Sequence, residues 1–216
     1  MFEINWVKID PKETALIVVD MQNDFCSPNG LYDRLGKNIE PYRKIIPNVK
    51  ILIEACRKKG ITIFYTRATR EPSGIDSLHT RHKILPESRR FTAEKDLCVE
   101  ETWGSEIIPE LKPKQENYII RKRRDSAFQD TPLRLLLTSL DKNILVFSGI
   151  DTYICVESTV RDGFNQDFDI IVISECTASI NEKFYATSLS QIGKAFGLVL
   201  TLKKFVNSLE YMSLKQ

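Results

Sequence analysis

The chain has 216 residues, of which 42% are hydrophobic and 28% charged, and its formal net charge is +2. Such a chain can bury a sizeable core, and we expect residues 1–216 to form a single domain. The balanced charge argues against a bulk polyanion binder, and the apolar runs are far too short for a membrane span.

The opening MFEINWVKIDPKE lacks the basic-then-apolar pattern of a secretory leader, so a cytoplasmic protein is expected. A buried strand is predicted over Ala15–Val19. It runs into Asp20, and Gln22, Asn23 and Asp24 crowd behind that carboxylate. Pro47 suits the first turn of a helix that turns Leu52, Ile53 and Cys56 inward, with Gly60 just past its end. Thr62–Tyr65 reads as the second strand. The segment from Arg67 to Trp103 is irregular, and its length suggests a lid or an oligomer contact. The third strand, Tyr118–Ile120, is followed by four cations, Arg121 to Arg124. Thr131-Pro132 reads as an N-cap and first-turn pair opening a helix through Leu137. A strand at Ile144–Ser148, a helix from Cys155 to about Gln166 and a strand at Ile170–Ile173 come next. A helix from Asn181 to about Phe196 and a strand at Leu198–Leu200 follow, and Phe205, Val206, Leu209 and Tyr211 suit an interface or the chain's own sheet. Continuous apolar strands alternating with helices predict an α/β fold: a three-layer α-β-α sandwich around a mostly parallel sheet with right-handed crossovers.

Ligands of open α/β sheets bind at the carboxyl ends of the strands. Asp20 ends the first strand there. Most of the basic run after the third strand reads as a solvated turn, with one cation turned inward to pair with Asp20. Aromatic interleaving is lacking, so no nucleic-acid partner is expected. Cys155 follows the fourth strand near a helix start, where amides and the helix dipole are expected to lower a thiol pKa. The other four cysteines, Cys26, Cys56, Cys98 and Cys176, read as small core residues, and the absence of a CxxC pair argues against a zinc ribbon or a disulfide framework. Neither GxGxxG nor GxxxxGK[ST] occurs.

Three phrases in order, DMQNDF (Asp20–Phe25), KRRDSAF (Lys122–Phe128) and SGIDTYICVESTVRD (Ser148–Asp162), together resemble the isochorismatase-like cysteine hydrolase superfamily. Nicotinamidases, N-carbamoylsarcosine amidases, ureidoacrylate amidohydrolases and isochorismatases belong to it. The resemblance runs from about Thr14 to Ser179. It implies a six-stranded parallel sheet, no cofactor, and a catalytic set of Asp20 as acid/base, Lys122 and the nucleophile Cys155. It also implies a cis peptide at Ile150–Asp151, with the Asp151 and Cys155 N–H groups forming an oxyanion hole. Asn23, Phe25, Arg67, Trp103 and Arg124 are the candidate substrate-binding residues. A homodimer or homotetramer acting on a small molecule, away from membranes, is expected by the same analogy.

The departures from the family pattern concern the substrate. The metal-binding histidines of nicotinamidases have no counterpart in FYTRATREPSG, Phe64 to Gly74, and His79 and His82 come later, so no metal is expected. Asp125 replaces the aromatic often found before SAF, and Glu175-Cys176 the usual Asp-Ala. The Trp103 segment and ICVESTVRDGF resemble the ureidoacrylate and carbamoyl-amide branch most, which implies cleavage of a C–N bond in a small linear amide or ureido compound. The alternatives are a vinyl-ether hydrolase of the isochorismatase type and a scaffold that keeps the fold without catalysis. A thiol redox enzyme, with Cys26 as the resolving cysteine, is a third.

Overall fold

The computed structural model describes residues 9–90 and 97–211. Six strands form one sheet in which every pairing is parallel: β1 (Thr14–Val19), β2 (Thr62–Ala68), β3 (Tyr118–Lys122), β4 (Ile144–Ile150), β5 (Asp169–Ala178) and β6 (Leu198–Leu200). Their spatial order is β3-β2-β1-β4-β5-β6. The chain therefore winds outward from β1 in one direction, returns, and winds outward in the other. The turning point lies between β1 and β4, where ligands of such sheets bind.

Burial explains the strands. Every residue of β1 and of β4 is buried, as strands covered on both faces require. Alternate residues feed two separate cores. Leu16 and Val18 pack on one face with Leu52, Cys56, Phe205 and Leu209. Ala15, Ile17 and Val19 pack on the other with Leu133, Val160 and Ile192.

Among the described residues four helices precede β2: the short α1 (Asn23–Cys26), α2 (Leu31–Arg34) and α3 (Glu40–Lys44), then α4 (Ile46–Lys58). Pro47 stands in the first turn of α4. Gly60, at φ +71°, ends it: Gly60 N–H donates to Arg57 O and Ile61 N–H to Cys56 O, the paired bonds of a Schellman motif. Between β2 and β3 lie α5 (Leu78–Arg81) and α6 (Glu87–Arg90). After β3 come α7 (Leu133–Ser139), α8 (Glu157–Phe164), α9 (Glu182–Ala195) and α10 (Leu202–Tyr211). Phe205 and Leu209 pack on the chain's own sheet, Val206 is half-buried, and the side chain of Tyr211 lies outside the described residues. No helix among the described residues is long and apolar enough to cross a membrane.

Several boundaries differ from the sequence reading. The helix expected at Thr131-Pro132 begins at Leu133, whose N–H donates to Thr131 Oγ1 at 3.2 Å. The helix expected from Cys155 to about Gln166 spans only α8; a π-type turn, Thr152–Val156, precedes it and holds Cys155. β5 runs past Ile173 to Ala178 because its register with β4 shifts between Phe147 and Gly149. A bulge absorbs the extra residues and lets the strand continue.

Gly149 fixes the crevice. It has φ +104°, and a Cβ placed there would lie 2.0 Å from Val19 O. Only glycine lets β1 and β4 approach so closely at their carboxyl ends.

Candidate active site

Asp20 leaves β1 at φ 49°, in the left-handed region that aspartate tolerates better than most residues. Its carboxylate is 1% exposed and contacts the ends of other strands. Lys122, the last residue of β3, is 1% exposed, and its Nζ lies 2.7 Å from Asp20 Oδ2. β2 separates β1 from β3, a span of roughly 10 Å between outer strands, which a lysine stem can cross. The remaining Nζ donors reach the carbonyl oxygens of Arg124 at 3.1 Å and Asp125 at 3.0 Å. The ammonium thus has three partners for its three donors. Thr66, on the intervening β2, completes the grip. Its hydroxyl donates to Asp20 Oδ1 at 2.6 Å and accepts from Asp20 N–H at 3.1 Å.

Cys155 joins from the far side of the switch point. The β4 strand ends in a cis peptide, Ile150–Asp151, and the turn that follows places Cys155 in one cleft with Asp20 and Lys122. Burial opposes the charge on Lys122, but Asp20 together with the neighbouring Cys155 and Asp125 outweighs it and holds the ammonium above the usual lysine range. Burial pushes the Cys155 thiol up, Lys122 pulls it down, and the net direction is upward. The sequence expectation of a lowered thiol pKa is thus overturned, because desolvation and the nearby carboxylate exceed the pull of the cation. The resting sulfur is a thiol that shares its cleft with the Asp20 carboxylate.

These groups open into a cleft of about 580 Å³ of empty space, counted to its open mouth. Phe25, Leu78, Ile150 and Ile154 give it apolar walls, while Arg70, Arg89 and Arg124 bring charge.

The isochorismatase domain model matches residues 14–204. The chain belongs to the isochorismatase family. A cysteine hydrolase from Pseudomonas syringae pv. phaseolicola 1448A is similar over 95% of this chain and 96% of its own, with 25% identity and a TM-score of 0.82. A nicotinamidase from Bacillus subtilis matches 87% of this chain and 98% of its own at 25% identity and a TM-score of 0.70. N-carbamoylsarcosine amidase from Thermoplasma acidophilum shares the fold, with 22% identity over 88% of this chain and 96% of its own and a TM-score of 0.69.

Within this isochorismatase-family site, the substrate candidates divide. Phe25 lines the cleft, edge-on to Tyr32, and so does Arg124. Asn23, Arg67 and Trp103 are not among the lining residues. Asn23 is buried and spends its amide on Trp103 O and the Ser27 hydroxyl. Arg67 donates to Ser105 O and Ser105 Oγ. Trp103 is half exposed on a short turn. Gln22 ties Ala68 and Ser105 through both ends of its amide, and Asp24 accepts from Leu31 N–H and Cys98 N–H. Both thus fix the loop, as the sequence suggested. The irregular segment contributes Leu78, Arg89, Leu97 and Cys98 to the cleft, so it helps cover the site from within the chain. His82 is exposed, and the side chain of His79 lies outside the described residues.

Thr66, Arg70 and Arg89 were missed. The predicted second strand stopped at Tyr65, one residue short of Thr66; extending the strand-end rule to it would have found the clamp. Arg89 meets Asp125 with bonds of 2.9 and 3.0 Å, which accounts for an acid where the family often has an aromatic.

Asp151 is held by the hydroxyls of Tyr42, at 2.7 Å, and Ser179. Desolvation outweighs these bonds and raises its pKa to about 6. The folded value exceeds the unfolded one of about 3.9, so this group's stabilising contribution is complete below about pH 4 and lost as pH rises through 6. Thermal melts of wild type and Asp151→Asn should therefore diverge, the wild type losing ground between about pH 4 and 7. Parallel melting curves across that window would contradict the assignment.

Proposed function

We propose that this isochorismatase-family protein is a cysteine hydrolase that cleaves a C–N bond in a small linear amide or ureido compound through a thioester. The observation that carries this reading is Cys155 lining one cleft with a buried carboxylate, Asp20, that is itself paired with Lys122 at 2.7 Å.

In this reading the sulfur attacks the carbonyl carbon as Asp20 takes the thiol proton. Because burial raises the thiol pKa, proton transfer accompanies attack instead of preceding it. Lys122 pairs with Asp20 and Thr66 fixes its orientation. The carbonyl electron pair moves onto oxygen, which accepts from the N–H groups of Asp151 and Cys155; one such donor is typically worth about 3–4 kcal/mol. The tetrahedral centre then expels ammonia or an amine, which takes the proton back from Asp20 and leaves an acyl or carbamoyl thioester on Cys155. Water attacks that thioester, giving a proton to Asp20. The proton returns to sulfur as the acid or carbamate departs. One carboxylate serves both halves because it stands beside the sulfur and is shielded from bulk water.

Ammonia release from a panel of small amides and ureido acids tests this reading. Release from linear members is the expected result, and a silent panel would contradict it.

A further inference from the structure

Arg70 carries a buried charge for which the described residues offer no carboxylate. It is 7% exposed and lines the cleft. One terminal nitrogen donates to the carbonyl oxygens of Thr69 at 2.9 Å and Arg123 at 3.1 Å, and Nε has no partner among the described residues. Arg124 lines the same cleft and donates to Asp76 O at 3.0 Å and to the same Arg123 carbonyl at 2.8 Å. Two guanidinium groups therefore converge on one carbonyl oxygen, and their acceptors among the described residues are backbone carbonyls without charge. The carboxylates nearby are committed elsewhere: Asp125 to Arg89, Asp76 and Glu100 to Arg123, and Asp20 to Lys122.

Like charges held together away from water repel, and a buried cation without a counter-charge is costly. An anion between them removes both costs. The planar fork of a guanidinium matches a carboxylate in particular. Both arginines flank the Asp20–Lys122 pair: Arg70 follows β2 by two residues, and Arg124 follows Lys122 by two.

We propose that Arg70 and Arg124 form an anion subsite that holds a carboxylate of the substrate while its carbamoyl or amide carbon meets Cys155. This rests on the hydrolase reading and narrows it to small acids carrying a carboxylate at one end and the scissile C–N bond at the other.

The test uses shape-matched pairs: ureidopropanoate against isopentylurea, and succinamate against isocaproamide. Wild type should favour each acid by about 100-fold in kcat/KM. Arg124→Gln and Arg70→Lys should each lose most of that preference, chiefly through a higher KM for the acid. Arg70→Lys retains the charge and removes the fork, so it remains informative if Arg70→Gln does not fold. Calorimetric titration of succinamate into Cys155→Ala, with and without Arg124→Gln, reads the subsite without chemistry. Equal turnover of acids and neutral partners would overturn the subsite and leave the hydrolase reading standing. Succinamate binding that depends on Arg124, with no turnover of any compound, would retain the subsite and remove the hydrolase reading. Absence of succinamate binding overturns the proposal whatever the turnover.

Discussion

Cys155→Ala is expected to reduce hydrolysis by at least about 10⁴-fold while the protein stays folded. The sulfur is the only protein group in the proposed sequence that bonds to substrate carbon. Its removal leaves the Asp151 and Cys155 N–H groups and Asp20 able only to assist direct attack by water. The cost to the fold is small, because Cys155 is partly exposed in a turn at the cleft and not a core residue. Cys155→Ser should fare little better than alanine. A serine hydroxyl is a far weaker acid than a thiol, and Asp20 is too weak a base to activate it. Ammonia release at saturating substrate, beside circular dichroism spectra, checks this. An alanine variant within about tenfold of wild type would remove Cys155 from the nucleophile's role.

Lys122→Met is expected to damage stability as well as activity. Lys122 and Asp20 are each 1% exposed and lie 2.7 Å apart, so deleting one leaves the other charge buried without its partner. Breaking such a pair typically costs about 3–5 kcal/mol, or roughly 10 °C in melting temperature for a chain of this size. Asp20 would also lose the ammonium that holds it in place, so activity should fall together with stability. The double variant Asp20→Asn with Lys122→Met buries no unpaired charge. It should recover part of the lost stability and none of the activity. Melting curves of the single and double variants separate the two roles. A single variant as stable as wild type would show that the pair is solvated and that the burial argument is wrong.

The sheet was legible because burial on both faces writes itself as continuous apolar runs, and all six strands lie where those runs are. The strand ends were less legible. Thr66 and Ser179 sit beyond the predicted ends of their strands, where the sequence turns polar while the backbone stays in the sheet or just leaves it. Asp20, Lys122 and Cys155 were singled out by combining strand ends with the family resemblance, and the structure places all three in one cleft. The protonation state of Cys155 was misread because a helix start is visible in sequence and desolvation is not. The substrate candidates fared unevenly for a similar reason. Arg67 lies inside β2, and Ser105, far away in sequence, takes its guanidinium. Arg70 and Arg89 come from the segment with no periodicity to read. Cys26, the resolving cysteine of the redox alternative, is buried and is not among the residues that line the cleft, whereas Cys98 is one of them. Chain proximity to Asp20 was a poor guide to which cysteine shares the site.

The central claim is a thioester on Cys155, and partitioning with hydroxylamine tests it most directly. Two substrates with the same acyl group, one releasing ammonia and the other methylamine, would be turned over in the presence of hydroxylamine. A shared acyl-enzyme predicts that hydroxamate and acid form in one ratio for both, whatever their separate rates. Absence of hydroxamate, or a ratio that changes with the leaving group, would contradict a covalent intermediate.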